Sequence, residues 1–237
     1  MKEQLLTEIT CIIKFIRLLE RKCLPKKVTC QTIFSRLLME STEKPSANSV
    51  NEILLVGDHL ALDLLNTEMR VGSDAVDLWR SGKDVYAWLD RQGLVAGIAV
   101  ETAQEPALLK QARELRALAR HLIEQWKDGK HVDVQPLNQF LFDYLTAPQV
   151  NRDDTGKLTL TRVSRGAPVP TLLGPVAEAI AQLLAEGEIE YVKTCAHPEC
   201  ILWFYDRTKS HKRRWCSMAS CGNRAKAAQF RKKAGSN

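Results

Sequence analysis

The sequence predicts an α+β protein with a mainly helical body, a minor β-sheet and a small C-terminal finger. Three observations predict this class. Apolar residues recur at helical spacing through much of residues 50–190, the last four cysteines lie within residues 195–221, and Lys and Arg are concentrated in the last 47 residues. We expect three parts: a helical or dispensable N-terminal extension (1–45), an acidic helical body (46–188) and a finger with a basic helix (189–237).

The charge of the chain is distributed very unevenly. Its 237 residues include 34 Lys and Arg and 28 Asp and Glu, for a net charge of +6. Residues 1–45 contribute +4, residues 46–190 contribute −7 and residues 191–237 contribute +9. A compact basic block attached to an acidic body favours a polyanionic partner, although such a block can also be a solvated surface.

Composition and apolar runs argue against a disordered, collagen-like, low-complexity, membrane-spanning or secreted protein. A hydrophobic fraction of 45% is ordinary for a folded domain, and the 12 Gly and 9 Pro are dispersed. No uncharged apolar stretch reaches about 18 residues, so we expect no membrane span. The best apolar run near the start, Ile9–Ile16, is short, is broken by Lys14 and lacks a small-residue cleavage pattern. We therefore expect a cytoplasmic protein.

The last four cysteines form the pattern C-x4-C-x15-C-x4-C. They are Cys195, Cys200, Cys216 and Cys221. Two close pairs separated by a hairpin-sized loop can bring four thiolates to one tetrahedral Zn²⁺, so we expect a structural zinc site. A pair of disulfides is the alternative, and a reducing compartment disfavours it. His197 and His211 lie in the same segment and could replace a ligand, but we expect both to be loop residues.

Local patterns in the body predict four helices and two strands. Apolar spacing and cap residues predict helices at Ser81–Gln92, 103–128, Pro136–Leu145 and Leu173–Glu186. A loop is expected at Arg165–Pro170. Alternation predicts a half-exposed strand at Lys157–Val163, and a short apolar run predicts a buried strand at Ile53–Val56. Asp58–Thr67 fits a strand and a helix equally well.

The N-terminal extension has a pattern of its own. Its apolar spacing is consistent with two short helices, Leu5–Glu20 and Gln31–Met39, separated at Pro25. A polar stretch follows Met39. Our hypothesis is that residues 1–38 are dispensable for folding, and the alternative is a helical arm that contacts the body or a partner.

The C-terminal segment predicts a zinc ribbon or a treble-clef-like finger. Its expected order is a strand at Ile189–Tyr191, a cysteine knuckle, a strand at Ile201–Tyr205, a second knuckle and a helix within Ser217–Lys233. So short a segment buries little core, and a bound metal can contribute on the order of 10 kcal/mol instead. We expect Trp203 and Phe204 to fill the space beneath the metal.

The cations of the finger predict contacts with nucleic acid. On a helical wheel, Ala225 and Ala228 face the cysteines and the cations lie on both flanks. The expected contacts are Arg213, Arg214, Arg224, Lys226, Arg231, Lys232 and Lys233. Trp203 or Trp215 could stack on bases if exposed. Asn223 could contact an adenine edge or hydrogen-bond the second knuckle, and we favour the second role. A solvated or protein-binding face is the alternative.

The tightest polar cluster of the body suggests a second candidate site. Asp58, His59, Asp63 and Asn66 fall within nine residues and could form a ligand pocket or perform acid–base chemistry. The alternative, which we favour, is that they serve turns and caps. No glycine-rich phosphate loop or nucleophile motif accompanies them. We therefore expect a protein that is not an enzyme.

Three motifs resemble a known pair of families. Arg214–Lys226, which reads RWCSMASCGNRAK, resembles the CGNR zinc-finger family, and Cys195–Cys200 with Trp203–Arg207 is similar to the first knuckle and strand of that family. Gly57–Thr67, GDHLALDLLNT, is similar to the opening motif of the companion ABATE domain. One departure is Ile201, where the family commonly has Gly.

The resemblance implies a bacterial stress-induced transcription regulator. Its zinc finger would bind DNA, and its acidic body would sense a signal or form a homodimer. A small-molecule effector for the body is unknown. An RNA-binding zinc protein stays open as an alternative, since zinc ribbons with basic helices also bind RNA.

Overall fold

The computed structural model describes residues 55–234, except 72, 73, 96, 97 and 99. Contacts divide the chain into two units, Met1–Ser46 and Ala47–Asn237, and every described residue lies in the second. The two helices expected in the extension, and the hypothesis that residues 1–38 are dispensable, fall outside the described residues. The predicted boundary between residues 188 and 189 stays a prediction.

Five α-helices form the body within the described residues. They are α1 (Leu60–Leu65), α2 (Gly82–Arg91), α3 (Glu105–Lys127), α4 (Gln135–Asp143) and α5 (Pro168–Glu186). The four helices predicted from apolar spacing are confirmed. In α2 the expected cap forms, because the Asp84 carboxylate accepts a 2.8 Å hydrogen bond from the Ser81 N–H. A short 3₁₀ turn, Thr102–Gln104, precedes α3.

The helix α5 begins earlier than the sequence pattern predicts. Pro168 is its first residue and Pro170 lies in its first turn. Proline has no N–H, but the N–H groups of the first turn have no partner within a helix, so no helical hydrogen bond is lost there. The expected loop at Arg165–Pro170 therefore ends at Ala167.

The core of the body lies around α5, which packs against α1, α3 and α4. Leu172, Val176 and Ile180 on α5 are fully buried. Among the described residues, α5 is also the helix that is long and apolar enough to cross a membrane. Because 56% of its most apolar stretch is buried against the protein itself, α5 has the environment of a core helix.

The segment Asp58–Thr67, whose sequence fits a strand and a helix equally well, contains the helix α1. Asp58 has a positive φ of 53°, and His59 caps α1 by accepting a 3.2 Å hydrogen bond from the Ala61 N–H.

The strand expected at Ile53–Val56 is wrong for the two of its residues that the structure describes. Leu55 lies in a turn and is 42% exposed, and Val56 is also outside any strand.

Among the described residues, the β-structure consists of three separate antiparallel strand pairs. The pairs are β1 (Glu68–Val71) with β2 (Asp74–Asp77), β3 (Thr146–Arg152) with β4 (Leu158–Ser164), and β5 (Val192–Thr194) with β6 (Trp203–Tyr205). The predicted strand at Lys157–Val163 is confirmed as β4. The strand expected at Ile189–Tyr191 is wrong, since these residues form a 3₁₀ turn closed by the Tyr191 N–H on the Glu188 carbonyl.

A buried arginine attaches the β1–β2 hairpin to α3. Arg116 is 3% exposed and donates to both carboxylate oxygens of Asp77 at 2.9 and 2.7 Å. It also donates to the Thr67 hydroxyl at 2.8 Å and pairs with Glu68 at 3.1 Å. The Arg116 guanidinium lies 4.9 Å from the Trp79 ring centroid. This network fixes the hairpin, and with it the end of α1, against the long helix.

Candidate metal centre

The finger consists of one strand pair and one helix around two cysteine turns. The first turn follows β5, and the Cys195 N–H donates to the Leu202 carbonyl at 2.9 Å while the Cys200 N–H donates to the His197 carbonyl at 2.9 Å. The second turn is a π-helical segment, Met218–Gly222, that continues into α6 (Asn223–Ala234). Ser217 caps this segment through its hydroxyl.

The four cysteine sulfurs meet at one point. All four Sγ atoms lie within 4.8 Å of one another, with 3.8 Å between Cys200 and Cys216 and 3.6 Å between Cys216 and Cys221. A tetrahedron with Zn–S bonds of about 2.3 Å has sulfurs about 3.8 Å apart, whereas a disulfide needs about 2.05 Å. The residues therefore fit a structural Zn²⁺ and do not form disulfides. Bound there, Zn²⁺ would supply the cross-link that holds the two turns together.

The two histidines of the segment lie outside this cluster. Nδ1 of His197 accepts a 3.3 Å hydrogen bond from the Glu199 N–H. The His211 ring stacks on Tyr191 at 3.8 Å between centroids, and its Nδ1 lies 3.0 Å from the Asp206 carbonyl. Each imidazole therefore has a local structural contact.

Close packing shifts the pKa values of three of the thiols. The hydrogen bond between Cys216 and Cys200 raises the pKa of Cys216 and lowers the pKa of Cys200 to about 5. Burial raises the pKa of Cys195. Four adjacent thiolates repel one another, so the metal-free quartet retains protons that a divalent cation displaces on binding.

Arg224 donates directly to a ligand sulfur. Its Nη2 lies 3.0 Å from Cys221 Sγ. The Cys216 N–H points at Cys195 Sγ from 3.4 Å. Four thiolates around one Zn²⁺ leave a net negative charge at the site, and donors to sulfur offset that charge. The guanidinium of Arg224, which we expected to contact a phosphate, therefore lies beside the metal centre.

Arg213 connects the second cysteine turn to the body. Its guanidinium donates to the carbonyls of Val56 at 3.0 Å and Trp215 at 2.9 Å, to the Cys216 carbonyl, and to the Asp58 carboxylate. It also lies 4.3 Å from the Phe204 ring centroid. These contacts use four of the five N–H donors of the guanidinium.

The aromatic residues of β6 face two different cores. Phe204 is fully buried with Cys195, Cys216 and Cys221, as predicted for the space beneath the metal. The same prediction is wrong for Trp203, which joins the hydrophobic core of the body. The strand β6 thus contributes side chains to both the finger core and the body core.

The body motif around Asp58 forms the seam with the finger. Asn66, 1% exposed, pairs with the Trp203 backbone twice, accepting from its N–H at 2.8 Å and donating to its carbonyl at 2.9 Å. The Tyr205 N–H donates to the Gly57 carbonyl at 2.7 Å, and Arg207 Nε donates to the Asp58 carbonyl at 2.8 Å. This seam is the set Gly57, Asp58, Asn66 on the body and Trp203, Tyr205, Arg207, Arg213 on the finger.

The four residues that could form a ligand pocket make structural contacts in this seam or beside it. None of them lines any of the three main clefts in the described part of the chain, which lie on other elements. Asp63 Oδ1 accepts from the Gly57 N–H at 2.8 Å, and burial raises the pKa of Asp63 to about 7. Burial also lowers the pKa of His59, whose ring lies 6.1 Å from that of Tyr205.

The cations at the end of the chain remain at the surface. Lys212, Arg214, Lys226, Arg231, Lys232 and Lys233 are exposed. The wheel prediction for the inner face of α6 is wrong in part, because Ala225 is half-buried but Ala228 is exposed, and α6 has no buried residue. Asn223 does bond the second turn, donating to the Ala219 carbonyl at 3.2 Å.

These features define the class: a zinc-finger protein in which a four-cysteine finger is built onto a helical body. The model of the ABATE family, described as "Putative stress-induced transcription regulator", matches residues 58–187, and the CGNR zinc-finger model matches residues 191–234. The chain belongs to the ABATE family and carries a CGNR zinc finger. No curated protein matches it.

Proposed function

We propose that this protein is a transcription regulator that binds DNA through its four-cysteine zinc finger. The observation that carries the proposal is the charge of residues 191–237, which hold 11 Lys and Arg against 2 Asp and Glu. Lys193 pairs with the buried Asp206, while Lys212, Arg214, Lys226, Arg231 and Lys233 face solvent. A group of exposed cations on one small domain suits a phosphate backbone.

The zinc in this proposal is structural and performs no chemistry. Four thiolates complete a tetrahedral shell and leave no position for a water molecule. Catalysis by the body is also not part of the proposal, because the Asp58, His59, Asp63 and Asn66 side chains serve caps and the seam. The family descriptions are those of a regulator and a zinc finger.

The body in this proposal senses a signal or forms a homodimer. We place the protein in the bacterial cytoplasm, where thiols stay reduced and available to zinc. Dimerisation is tested by sedimentation of the zinc-loaded full chain over a range of concentrations.

DNA binding is tested by fluorescence anisotropy of the zinc-loaded chain with a mixed-sequence duplex. We expect affinity to fall steeply between about 50 mM and about 200 mM salt, as counterions are released from the duplex. Cys216→Ser, which removes a metal ligand, should abolish binding. Absence of binding to the duplex at the lower salt concentration contradicts the proposal, and preferential binding of structured RNA replaces it with the RNA alternative.

A further inference from the structure

The finger contains a cleft of about 540 Å³ beside the second cysteine turn. Its walls come from the loop before Cys216 and from the start of the π-helical segment. We call it the finger cleft and use four of its lining residues: Lys212, Arg214, Trp215 and Ser217. None of the metal ligands lines it, although its lining residues Trp215 and Ser217 flank Cys216 in the sequence.

The lining of the finger cleft is basic. Three of its residues are cations and none is acidic. Arg213 has its charge offset by the Asp58 carboxylate, whereas Lys212 and Arg214 are exposed at the rim. The cleft therefore presents about two uncompensated positive charges to whatever enters it.

The aromatic residue of the cleft is not open for stacking. The Arg214 guanidinium lies 5.0 Å from the Trp215 ring centroid. Trp215 also packs closely on Gly222, where an added Cβ would lie 3.3 Å from a ring carbon. A base would have to displace Arg214 to stack on the indole. Cations and the Ser217 hydroxyl instead match the oxygens of a phosphate.

We propose that the finger cleft seats a backbone phosphate of bound DNA, with Lys212 and Arg214 as its charged contacts. The inference rests on the proposed function and specifies the surface used. It assigns the phosphate contact to the loop before Cys216, because Arg213 is held by the body and Arg224 is held by a ligand sulfur. Contacts of this kind fix the position of a protein on DNA and read no sequence.

The test compares four single variants of the zinc-loaded full chain: Lys212→Ala, Arg214→Ala, Arg214→Lys and Lys209→Ala. Lys209 is the matched control, because it is an exposed cation of the same loop that does not line the cleft. Affinity for a mixed-sequence duplex is measured against salt. Each lost phosphate contact should lower the slope of log K against log salt by about 0.9. We expect this loss in both cleft variants, near-normal slopes in Lys209→Ala, and recovery in Arg214→Lys.

Zinc content and the midpoint of thermal unfolding are measured for every variant, so that a folding defect is recognised. If the wild type binds DNA and the cleft variants have the same salt slope as Lys209→Ala, the cleft assignment is wrong. The proposed function is not affected by that outcome. Absence of wild-type binding to DNA overturns both. Binding of structured RNA alone, lost in the cleft variants, overturns the assignment to DNA.

Discussion

The arginine of the CGNR motif, Arg224, has a role at the metal centre that its charge alone does not reveal. Its hydrogen bond to Cys221 Sγ offsets part of the negative charge of four thiolates around one Zn²⁺. We expect Arg224→Ala to release zinc to a chromogenic chelator about tenfold faster or more, since outer-shell partners of this kind typically contribute about 10–100-fold in metal affinity. Arg224→Lys should recover part of the loss.

The control for this prediction is Lys226→Ala, which removes an exposed cation two positions along the same helix. Its zinc release should match that of the wild type. Equal release rates for Arg224→Ala and Lys226→Ala would show that Arg224 does not support the site.

Asp63 makes stability depend on pH. Its pKa is 3.8 in the unfolded chain and about 7 in the folded protein, and burial is the largest cause of the rise. The nearby Asp58 also favours a higher pKa, whereas the hydrogen bond from the Gly57 N–H favours a lower one. The folded state therefore binds this proton more tightly. The contribution is fully present below about pH 4 and is lost as pH rises through about 7.

Asp63→Asn keeps an oxygen acceptor for Gly57 and removes the charge. We expect this variant to be more stable than the wild type at about pH 8, by up to about 4 kcal/mol, and to show a flatter pH profile between about pH 4 and about pH 7. Urea unfolding at several pH values measures both effects. Asp90→Asn, at an exposed position on α2, is the control, and a wild-type-like pH profile in Asp63→Asn would refute the prediction.

At the scale of single elements, α4 and α5 depend on a close approach at Gly174. A Cβ built at Gly174 would overlap the ring of Tyr144, the C-cap residue of α4. Gly174→Ala must displace that ring. Because helix propensity alone favours alanine, overpacking decides the sign, and we expect a loss of about 1–3 kcal/mol.

Chemical denaturation measures this loss, with Gln182→Ala as the control at an exposed position of the same helix. The control should stay within about 0.5 kcal/mol of the wild type. A stabilised Gly174→Ala would mean that Tyr144 does not pack against α5.

Elements with local signals are predictable from sequence, and elements with distant partners are not. The N-cap at Ser81 lies three residues from Asp84, so the start of α2 is readable along the chain. β3 contains Pro148 and Gln149 and has no strand pattern of its own, and it forms because β4 pairs with it in register. The cysteine spacing likewise predicts the metal quartet.

The roles of the arginines could not be predicted in this way. Arg213 pairs with the carboxylate of Asp58, which lies 155 residues earlier in the sequence. Only the tertiary fold brings these two side chains together. Asn66 meets Trp203 across 137 residues. A positive charge near a cysteine motif is compatible with a phosphate contact, a ligand sulfur or a body carboxylate, and only tertiary structure distinguishes them.

At the scale of the whole molecule, the described finger and body lie in one compact unit, and β6 contributes side chains to the cores of both. Phe204 packs beneath the metal ligands while its neighbour Trp203 packs in the body core. Lys127 of α3 also donates to the Val192 carbonyl of β5 at 2.6 Å. Loss of zinc should therefore propagate through β6 to the body.

We expect the described unit to unfold in a single transition when zinc is bound, and zinc removal by a chelator to lower the midpoint of that transition for the helical body as well as for the finger. Circular dichroism follows the helices, and the fluorescence of the tryptophans follows the two cores.

Asn66→Ala should separate the two signals, because it leaves the Trp203 N–H and carbonyl unpaired at a buried seam, at a cost of about 1–3 kcal/mol for each group. Asn138→Ala, at an exposed position of α4, is the control. Coincident transitions in Asn66→Ala, with unchanged stability, would mean that the seam does not couple the metal centre to the body.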